Sequence, residues 1–357
     1  MKEENLTTFQ KTEKQKTASA KAAEAVEDRQ LCFVCNRDIL TLMSRLLNPH
    51  FHSMIHLEDG MYTDKQELLR YFRETAEAEL QPILRLRDYK AQAREINTAI
   101  KQVRDTLLAE MLAFAERHHW AYEHTLNCVL HITYASYVVM LEYRNKVWPY
   151  EYMAFARRIG ELWEPFCKET FYYSVNPLQI VDPPLFDEVQ QSIQESASDF
   201  FDSLRLDRET RQLLQYHYNI PWSLVDSGGI QRELDLHFEQ HGVTYNCDFK
   251  SGFSSNEKGN TNRLLLVASI YHSLSENEKT ILFVRQSEDE NNHYLQTLKN
   301  SGLWDVYCAD DAYEAMYDFT GFDLRRWLNE NATWIEDIDD QLRSRLIDQG
   351  IIKYLTW

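Results

Sequence analysis

The chain has no apolar stretch of the roughly eighteen residues that a membrane-spanning helix requires, so we expect no transmembrane helix among its 357 residues. Residues 1–26 have no apolar segment of the kind found in signal peptides, and we expect residues 1–30 to be a mobile tail. No P-loop, glycine-rich dinucleotide turn, His-Glu-x-x-His or Gly-x-Ser-x-Gly motif occurs. These absences leave ATP-driven motors, Rossmann oxidoreductases and esterases without support.

Positive charge is also scarce. The chain has 38 lysine and arginine residues against 56 aspartate and glutamate residues, which gives a net charge of −18. Proteins that bind nucleic acids usually present a basic surface, so this acidity opposes such a function. The charge is unevenly distributed, since residues 76–110 contain a group of arginines and lysines and the acidic excess is greatest at residues 310–340. We expect the acidic segment to lie away from any nucleic acid or at a subunit contact.

The sequence has six cysteines and no features of a secreted protein, so we expect free thiols in a reducing cytoplasm. Cys32 and Cys35, followed by His50, His52 and His56, suggest a zinc finger. Sixteen residues separate Cys35 from His52, however, whereas the usual spacing is about twelve. Buried thiols are therefore favoured over a zinc site at Cys32 and Cys35.

Two adjacent segments, residues 231–238 and 243–250, alternate apolar and polar side chains around a turn at residues 239–242. This pattern predicts a β-hairpin. Successive side chains of a strand point to opposite faces, so the sequence predicts one apolar face and one polar face. The apolar face is predicted to contain Leu234, Leu236, Phe238, Val243, Tyr245, Cys247 and Phe249, and the polar face Glu233, Asp235, His237, Thr244, Asn246, Asp248 and Lys250.

The charged residues of the polar face are Glu233, Asp235, Asp248 and Lys250. Three carboxylates close together repel one another unless a cation lies among them, which suits a divalent metal ion. Mg²⁺ is commonly held by one or two carboxylates plus a substrate phosphate, and it can polarise a phosphodiester. Lys250 could orient or deprotonate the attacking water, or stabilise charge in the transition state. A solvated polar face of an antiparallel hairpin is the alternative interpretation.

Asp235, twelve intervening residues and then Asp248-Phe249-Lys250 resemble the PD-(D/E)XK nuclease motif. The resemblance implies Mg²⁺-dependent cleavage of phosphodiesters, with Mn²⁺ as a substitute metal. It also implies that Asp235 and Asp248 are metal ligands and that Lys250 is the catalytic lysine. No proline precedes the first aspartate, which leaves Glu233 or Asp235 as the first ligand; we favour Asp235.

The predicted order of elements agrees with that resemblance over residues 209–308. We predict a first strand at residues 220–225, the hairpin, a helix from Thr261, a buried strand at residues 280–284, a helix at residues 291–299 and a strand at residues 304–308. The expected fold class is α/β (α+β), a restriction-endonuclease-like mixed sheet flanked by helices, with a large helical N-terminal region. The expected domains are a helical region at residues 31–175, for dimerisation or DNA recognition, and a nuclease domain at residues 176–357.

The helical region is predicted to begin with a helix capped by Thr63 and ending or kinking at Pro82. A long charged helix follows, and then an apolar core helix at residues 124–141, in which His131 is predicted to be a hydrogen-bonded core residue. A further helix is predicted at residues 150–171. The nuclease fold implied by the resemblance often has an acidic residue on a helix before the hairpin, for which the candidates are Glu161, Glu164 and Glu209.

The function implied is a metal-dependent endodeoxyribonuclease, and we favour a type II restriction endonuclease that cuts double-stranded DNA. We expect a cytoplasmic homodimer, with a cognate methyltransferase encoded nearby. In the polar loop after Lys250, Lys258, Asn262 and Arg263 are candidate DNA contacts. The alternatives are another defence or repair nuclease, and a non-catalytic helical interaction protein with an inactive nuclease-like hairpin.

Overall fold

A computed structural model describes residues 59–182, 186–225, 234–254 and 257–357. The predicted mobile tail, the zinc candidates Cys32 and Cys35, and Glu233 lie outside the described residues. Residues Asp59–Trp357 form one compact unit, in which the helical segment and the sheet pack together. In this part of the chain, no helix has the combined length and hydropathy that crossing a membrane would need.

The described residues form twelve α-helices and five β-strands. The helices are α1 (Lys65–Ile83), α2 (Tyr89–Arg117), α3 (Tyr122–Val147), α4 (Tyr152–Tyr172), α5 (Phe186–Ser203), α6 (Arg208–Val225), α7 (Lys258–Leu274), α8 (His293–Asn300), α9 (Asp310–Thr320), α10 (Leu324–Asn331), α11 (Trp334–Asp337) and α12 (Asp340–Asp348). The strands are β1 (Gln179–Ile180), β2 (Leu236–Gln240), β3 (Val243–Lys250), β4 (Glu278–Val284) and β5 (Asp305–Cys308). The prediction of an α/β chain with a large helical region before the sheet is confirmed.

The five strands form one mixed sheet in the order β1-β2-β3-β4-β5. The pairs β1–β2 and β2–β3 are antiparallel, whereas β3–β4 and β4–β5 are parallel and are connected through α7 and α8. The predicted hairpin is confirmed, and its two-residue turn has His241 and Gly242 at φ angles of 54° and 77°. Two consecutive left-handed residues match the twist of a tight hairpin, which explains the glycine at the second position.

The predicted first strand at residues 220–225 is wrong, because this segment is the end of α6. A short apolar run does not distinguish a strand from part of a helix, and here it continues the helix that begins at Arg208. The first strand is instead β1, whose two residues are too few to show a pattern in the sequence. Two helix starts also differ by a few residues: Asp64, not Thr63, caps α1, and α7 begins at Lys258 rather than Thr261.

Helices cover both faces of the sheet. On one face, aromatic residues of α4 and α9 pack against the strands: Trp163 contacts Phe249, Phe171 contacts Phe238 and Phe283, and Phe319 contacts Tyr245. On the other face, α7 and α8 pack on a second apolar cluster that contains Leu264, Leu282, Val284, Leu295, Leu298 and Trp304. Leu234 belongs to this second cluster, whereas the sequence pattern predicts that it lies on the face of Leu236 and Phe238. The reason is that Leu234 precedes the first residue of β2, so the alternation of side chains along that strand does not extend to it.

Helix α3 is buried around its whole circumference, as the apolar pattern at residues 124–141 predicts. His131 within it is buried, and its Nδ1 lies 2.8 Å from the carbonyl oxygen of Asn127, which agrees with the predicted core role. Burial lowers the pKa of His131. The neutral imidazole is thus the form that this helix accommodates.

Two buried carboxylates join α3 and α1 to the C-terminal helices. Glu142 accepts two hydrogen bonds from the guanidinium of Arg73, at 2.6 and 3.1 Å, and one from the backbone N–H of Asp339 at 2.8 Å. Asp337 forms an ion pair with Lys65 at 3.0 Å and accepts a hydrogen bond from the Tyr134 hydroxyl at 2.8 Å. Buried charges are tolerated only when they are paired and hydrogen-bonded, and both of these are.

We predict that Asp337→Ala lowers the free energy of unfolding by about 3 kcal/mol, because it leaves Lys65 and the Tyr134 hydroxyl without their buried partner. Asp340→Ala is the matched control, since Asp340 is 95% exposed in its pair with Arg343 and its removal should change stability by less than about 0.5 kcal/mol. Urea denaturation of the two variants and the wild type measures both values. Equal stabilities for the two variants would contradict the prediction.

Candidate functional site

The hairpin brings Asp235 and Asp248 to the same place. Leu236 pairs with Cys247 and His237 with Asn246, so continuation of this register sets Asp235 opposite Asp248. Opposite residues of an antiparallel pair lie on the same face. The carboxylate of Asp235 also accepts a hydrogen bond of 2.8 Å from the backbone N–H of Phe249, which fixes it against the end of β3.

The middle of the polar face of the hairpin is buried, contrary to a solvated polar face, whereas Asp235, Thr244 and Lys250 are half-buried. His237, Asn246 and Asp248 are all buried beneath α7, where the ring of His237 lies 5.7 Å from that of Tyr271. Nδ1 of His237 lies 2.7 Å from the side-chain oxygen of Asn246. A row of polar side chains in such a place needs partners from the protein itself.

Asp248 is the most deeply buried charge of the site, with 1% of its side chain exposed. Lys250 forms an ion pair with its Oδ1, and Arg263 forms one with its Oδ2 at 2.9 Å. Lys250 Nζ also lies 4.0 Å from Oδ2 of Asp235. The predicted triad of Asp235, Asp248 and Lys250 therefore lies together, with the amine of Lys250 close to both carboxylates.

The sequence predicts a DNA contact for Arg263. In the structure its side chain points inward and donates a hydrogen bond to Asp248. It lies in the second turn of α7, and its Nε donates to the side-chain oxygen of Asn260 at 3.3 Å. Asn260 in turn donates to Glu257 at 3.1 Å. The i, i+3 spacing of Asn260 and Arg263 was the available sequence signal for this arrangement. The other two candidate DNA contacts, Lys258 and Asn262, are exposed.

The pKa of Asp235 is raised from 3.8 to about 6, mainly by burial and secondly by repulsion from Asp248. The ammonium of Lys250 and the hydrogen bond from Phe249 act in the opposite direction and do not offset these effects. The two carboxylates therefore repel each other at neutral pH, although the cations of Lys250 and Arg263 lie beside Asp248.

Glu164 is the upstream acidic candidate whose charge acts on this site, because it further raises the pKa of Asp235. It lies on α4 and pairs with Lys168 at 3.2 Å. Glu161 is engaged by Arg157 and Arg158 on the surface of α4, and Glu209 is exposed in the first turn of α6. Sequence alone did not distinguish these three, because the choice depends on how α4 packs across the sheet.

The residues fit a divalent cation in part. Within the described ranges, no group of three or more His, Cys, Asp or Glu side chains could by itself hold a metal ion. Asp235 and Asp248 nevertheless offer the hard oxygen ligands that Mg²⁺ prefers, and their mutual repulsion is what a cation would relieve. Two carboxylates suffice for Mg²⁺ when water and substrate phosphate supply its other ligands.

The loop after Lys250 is anchored on several sides. Phe253 donates its backbone N–H to the side-chain oxygen of Asn291 at 2.6 Å, and Ser251 accepts two hydrogen bonds from Arg285, at 2.9 and 3.1 Å. A Cβ atom at Gly160 on α4 would approach Ser251 to 2.7 Å, so glycine is required for this close contact. These contacts give the end of β3, and with it Lys250, a fixed position.

We predict that Asp235→Asn raises the free energy of unfolding above pH 6 by about 2 kcal/mol in metal-free buffer. Because the folded pKa of Asp235 lies above its ordinary value, folding favours the protonated carboxyl; the wild type loses this stability as the pH rises from 3.8 to about 6. The amide of asparagine avoids that loss and keeps an oxygen for the N–H of Phe249. The gain should vanish below pH 3.8.

Urea denaturation of the variant and the wild type between pH 3.5 and pH 8 checks this pH dependence. Asp248→Asn is the matched control, since it removes the partner of both Lys250 and Arg263 and should lower stability at neutral pH. A constant difference between Asp235→Asn and the wild type at all pH values would refute the raised pKa.

Comparisons of the chain with protein-family models, with curated proteins and with solved structures gave no match.

Proposed function

We propose that this protein is a Mg²⁺-dependent endodeoxyribonuclease with a restriction-endonuclease-like core. One observation carries the proposal: the buried carboxylate of Asp248 lies opposite Asp235 with the amine of Lys250 close to both. Paired carboxylates with an adjacent lysine suit metal-assisted hydrolysis of a phosphodiester. A solvated polar face would not bury the carboxylate of Asp248.

Within this proposal, each residue has a distinct task. A bound Mg²⁺ would polarise the phosphodiester and lower the pKa of a coordinated water. Asp235 and Asp248 would hold it, and Phe249 keeps Asp235 in place through its backbone N–H. Lys250, fixed at the end of β3, orients the attacking water or stabilises negative charge on the phosphate in the transition state.

The topology of the sheet supports the fold part of the proposal. An antiparallel β1-β2-β3 unit is followed by the parallel strands β4 and β5, and the carboxylates lie on the central hairpin. Two helices, α5 and α6, stand between β1 and β2, where a simple meander would have a turn. They are an insertion into the proposed core and do not interrupt its sheet.

Among nucleases, we favour a type II restriction endonuclease that cuts double-stranded DNA as a homodimer in the cytoplasm, with a methyltransferase encoded nearby. Exposed Lys258 and Asn262 at the start of α7, close in sequence to the site residue Arg263, support an approach of DNA on this side. Another defence or repair nuclease is the second candidate, because the same site would serve branched or single-stranded DNA.

We predict that the purified protein cleaves plasmid DNA in Mg²⁺ and that Asp235→Ala and Asp248→Ala abolish cleavage, because each variant removes a ligand of the metal. Asp305→Ala is the matched control, since Asp305 is an exposed aspartate on β5 and its removal should leave the rate unchanged. Gel electrophoresis of a sequenced plasmid measures the rates.

The products separate the alternatives. Discrete bands indicate a sequence-specific restriction endonuclease, whereas a smear indicates a less specific nuclease. Wild-type activity in Asp248→Ala would exclude this site. No cleavage of any DNA form by the wild type would favour the non-catalytic interaction protein.

We predict that Lys250→Ala keeps DNA affinity within a few fold but loses cleavage by several orders of magnitude, because its amine acts mainly in the transition state. Lys279→Ala, which removes an exposed lysine from the neighbouring strand β4, is the control and should cleave at the wild-type rate. Single-turnover cleavage and fluorescence anisotropy give the two quantities. A parallel loss of binding and cleavage would instead make Lys250 a phosphate clamp.

A further inference from the structure

Among the described residues of the site, two carboxylates are balanced by two cations. Asp235 and Asp248 supply two negative charges, and Lys250 and Arg263 supply two positive charges. Each oxygen of the buried Asp248 carboxylate is paired with one of the two cations. A cluster neutralised in this way has little electrostatic attraction for a divalent cation, because the ammonium and the guanidinium repel it.

Of the two cations, Arg263 is the one suited to leave. Lys250 belongs to the rigid end of β3 and has a second carboxylate, that of Asp235, 4.0 Å away. Arg263 reaches Asp248 from the second turn of α7, next to a helix end whose N–H groups and dipole favour anions. Its planar guanidinium can exchange a carboxylate for a phosphate with little change in hydrogen-bond geometry.

We propose that Arg263 is a movable counter-ion that neutralises Asp248 in the DNA-free protein and transfers to a DNA phosphate in the complex. This inference rests on the proposed nuclease function. Departure of Arg263 frees Oδ2 of Asp248 and restores the negative charge that attracts the metal. DNA and metal therefore raise each other's affinity, as linkage between two sites requires.

Mn²⁺ binding to the DNA-free protein tests the proposal without any measurement of cleavage. Arg263→Gln removes the competing charge and should tighten Mn²⁺ binding roughly tenfold, which is typical of a coupling between sites. Arg263→Lys keeps the charge and should bind Mn²⁺ as weakly as the wild type. Arg326→Gln is the matched control, because it removes an exposed arginine that pairs with Glu330 at 2.8 Å and should not alter Mn²⁺ binding.

A short duplex with phosphorothioate linkages, which resist hydrolysis, completes the experiment. It should raise the Mn²⁺ affinity of the wild type by a similar factor, roughly tenfold, and that of Arg263→Gln by much less. Isothermal titration calorimetry and electron paramagnetic resonance of free Mn²⁺ give both affinities. Thermal melting in EDTA shows whether Arg263→Gln is folded. If it is not, the Mn²⁺ affinity of Arg263→Lys and the effect of the duplex on the wild type test the proposal instead.

The outcomes are distinct. Unchanged or weaker Mn²⁺ binding in Arg263→Gln overturns the proposal, since a weaker site would mean that Arg263 only orients Asp248. Absence of a duplex effect in the wild type overturns it as well. Coupling without any cleavage of DNA would leave the movable Arg263 intact and reject the nuclease. Cleavage without coupling would do the reverse.

Discussion

Neutralisation of buried carboxylates is the constraint on which the arrangement of this protein depends. Three of them, Glu142, Asp248 and Asp337, are almost completely buried in the described structure. Each pairs with a cation from another element: Glu142 with Arg73, Asp248 with Arg263 and Asp337 with Lys65. An unpaired buried charge would destabilise the fold by several kcal/mol, on the order of 3–5, so each pair fixes how two elements pack. The same constraint that holds the helices together also shapes the site.

The sequence predicts best where one local pattern decides the structure. Alternation over residues 231–250 is sufficient to predict the hairpin and the shared face of Asp235, Asp248 and Lys250, and continuous apolarity predicts α3 and β4. The sequence predicts the structure poorly where the packing of distant segments decides it. The apolar run at residues 220–225 fits a strand as well as a helix, and β1 is only two residues long.

The site shows the same division between local pattern and packing. The faces of the strands follow from residue parity, but the burial of Asp248 does not, because it depends on α7 lying over that face. The inward direction of Arg263 and the proximity of Glu164 rather than Glu161 also depend on helix packing.

The ion pair between α1 and α11 has a consequence for biosynthesis. Lys65 donates to Thr333, 268 residues farther along the chain, in the same network as Asp337. At ribosomal rates of roughly 5–20 residues per second, α1 and α3 are synthesised on the order of tens of seconds before the C-terminal residues that pair with them. During this interval Arg73 and Glu142 lack their contacts with residues 337–339, and the apolar surface of α3 has no C-terminal cover. The nascent chain therefore exposes apolar surface of the kind that chaperones shield.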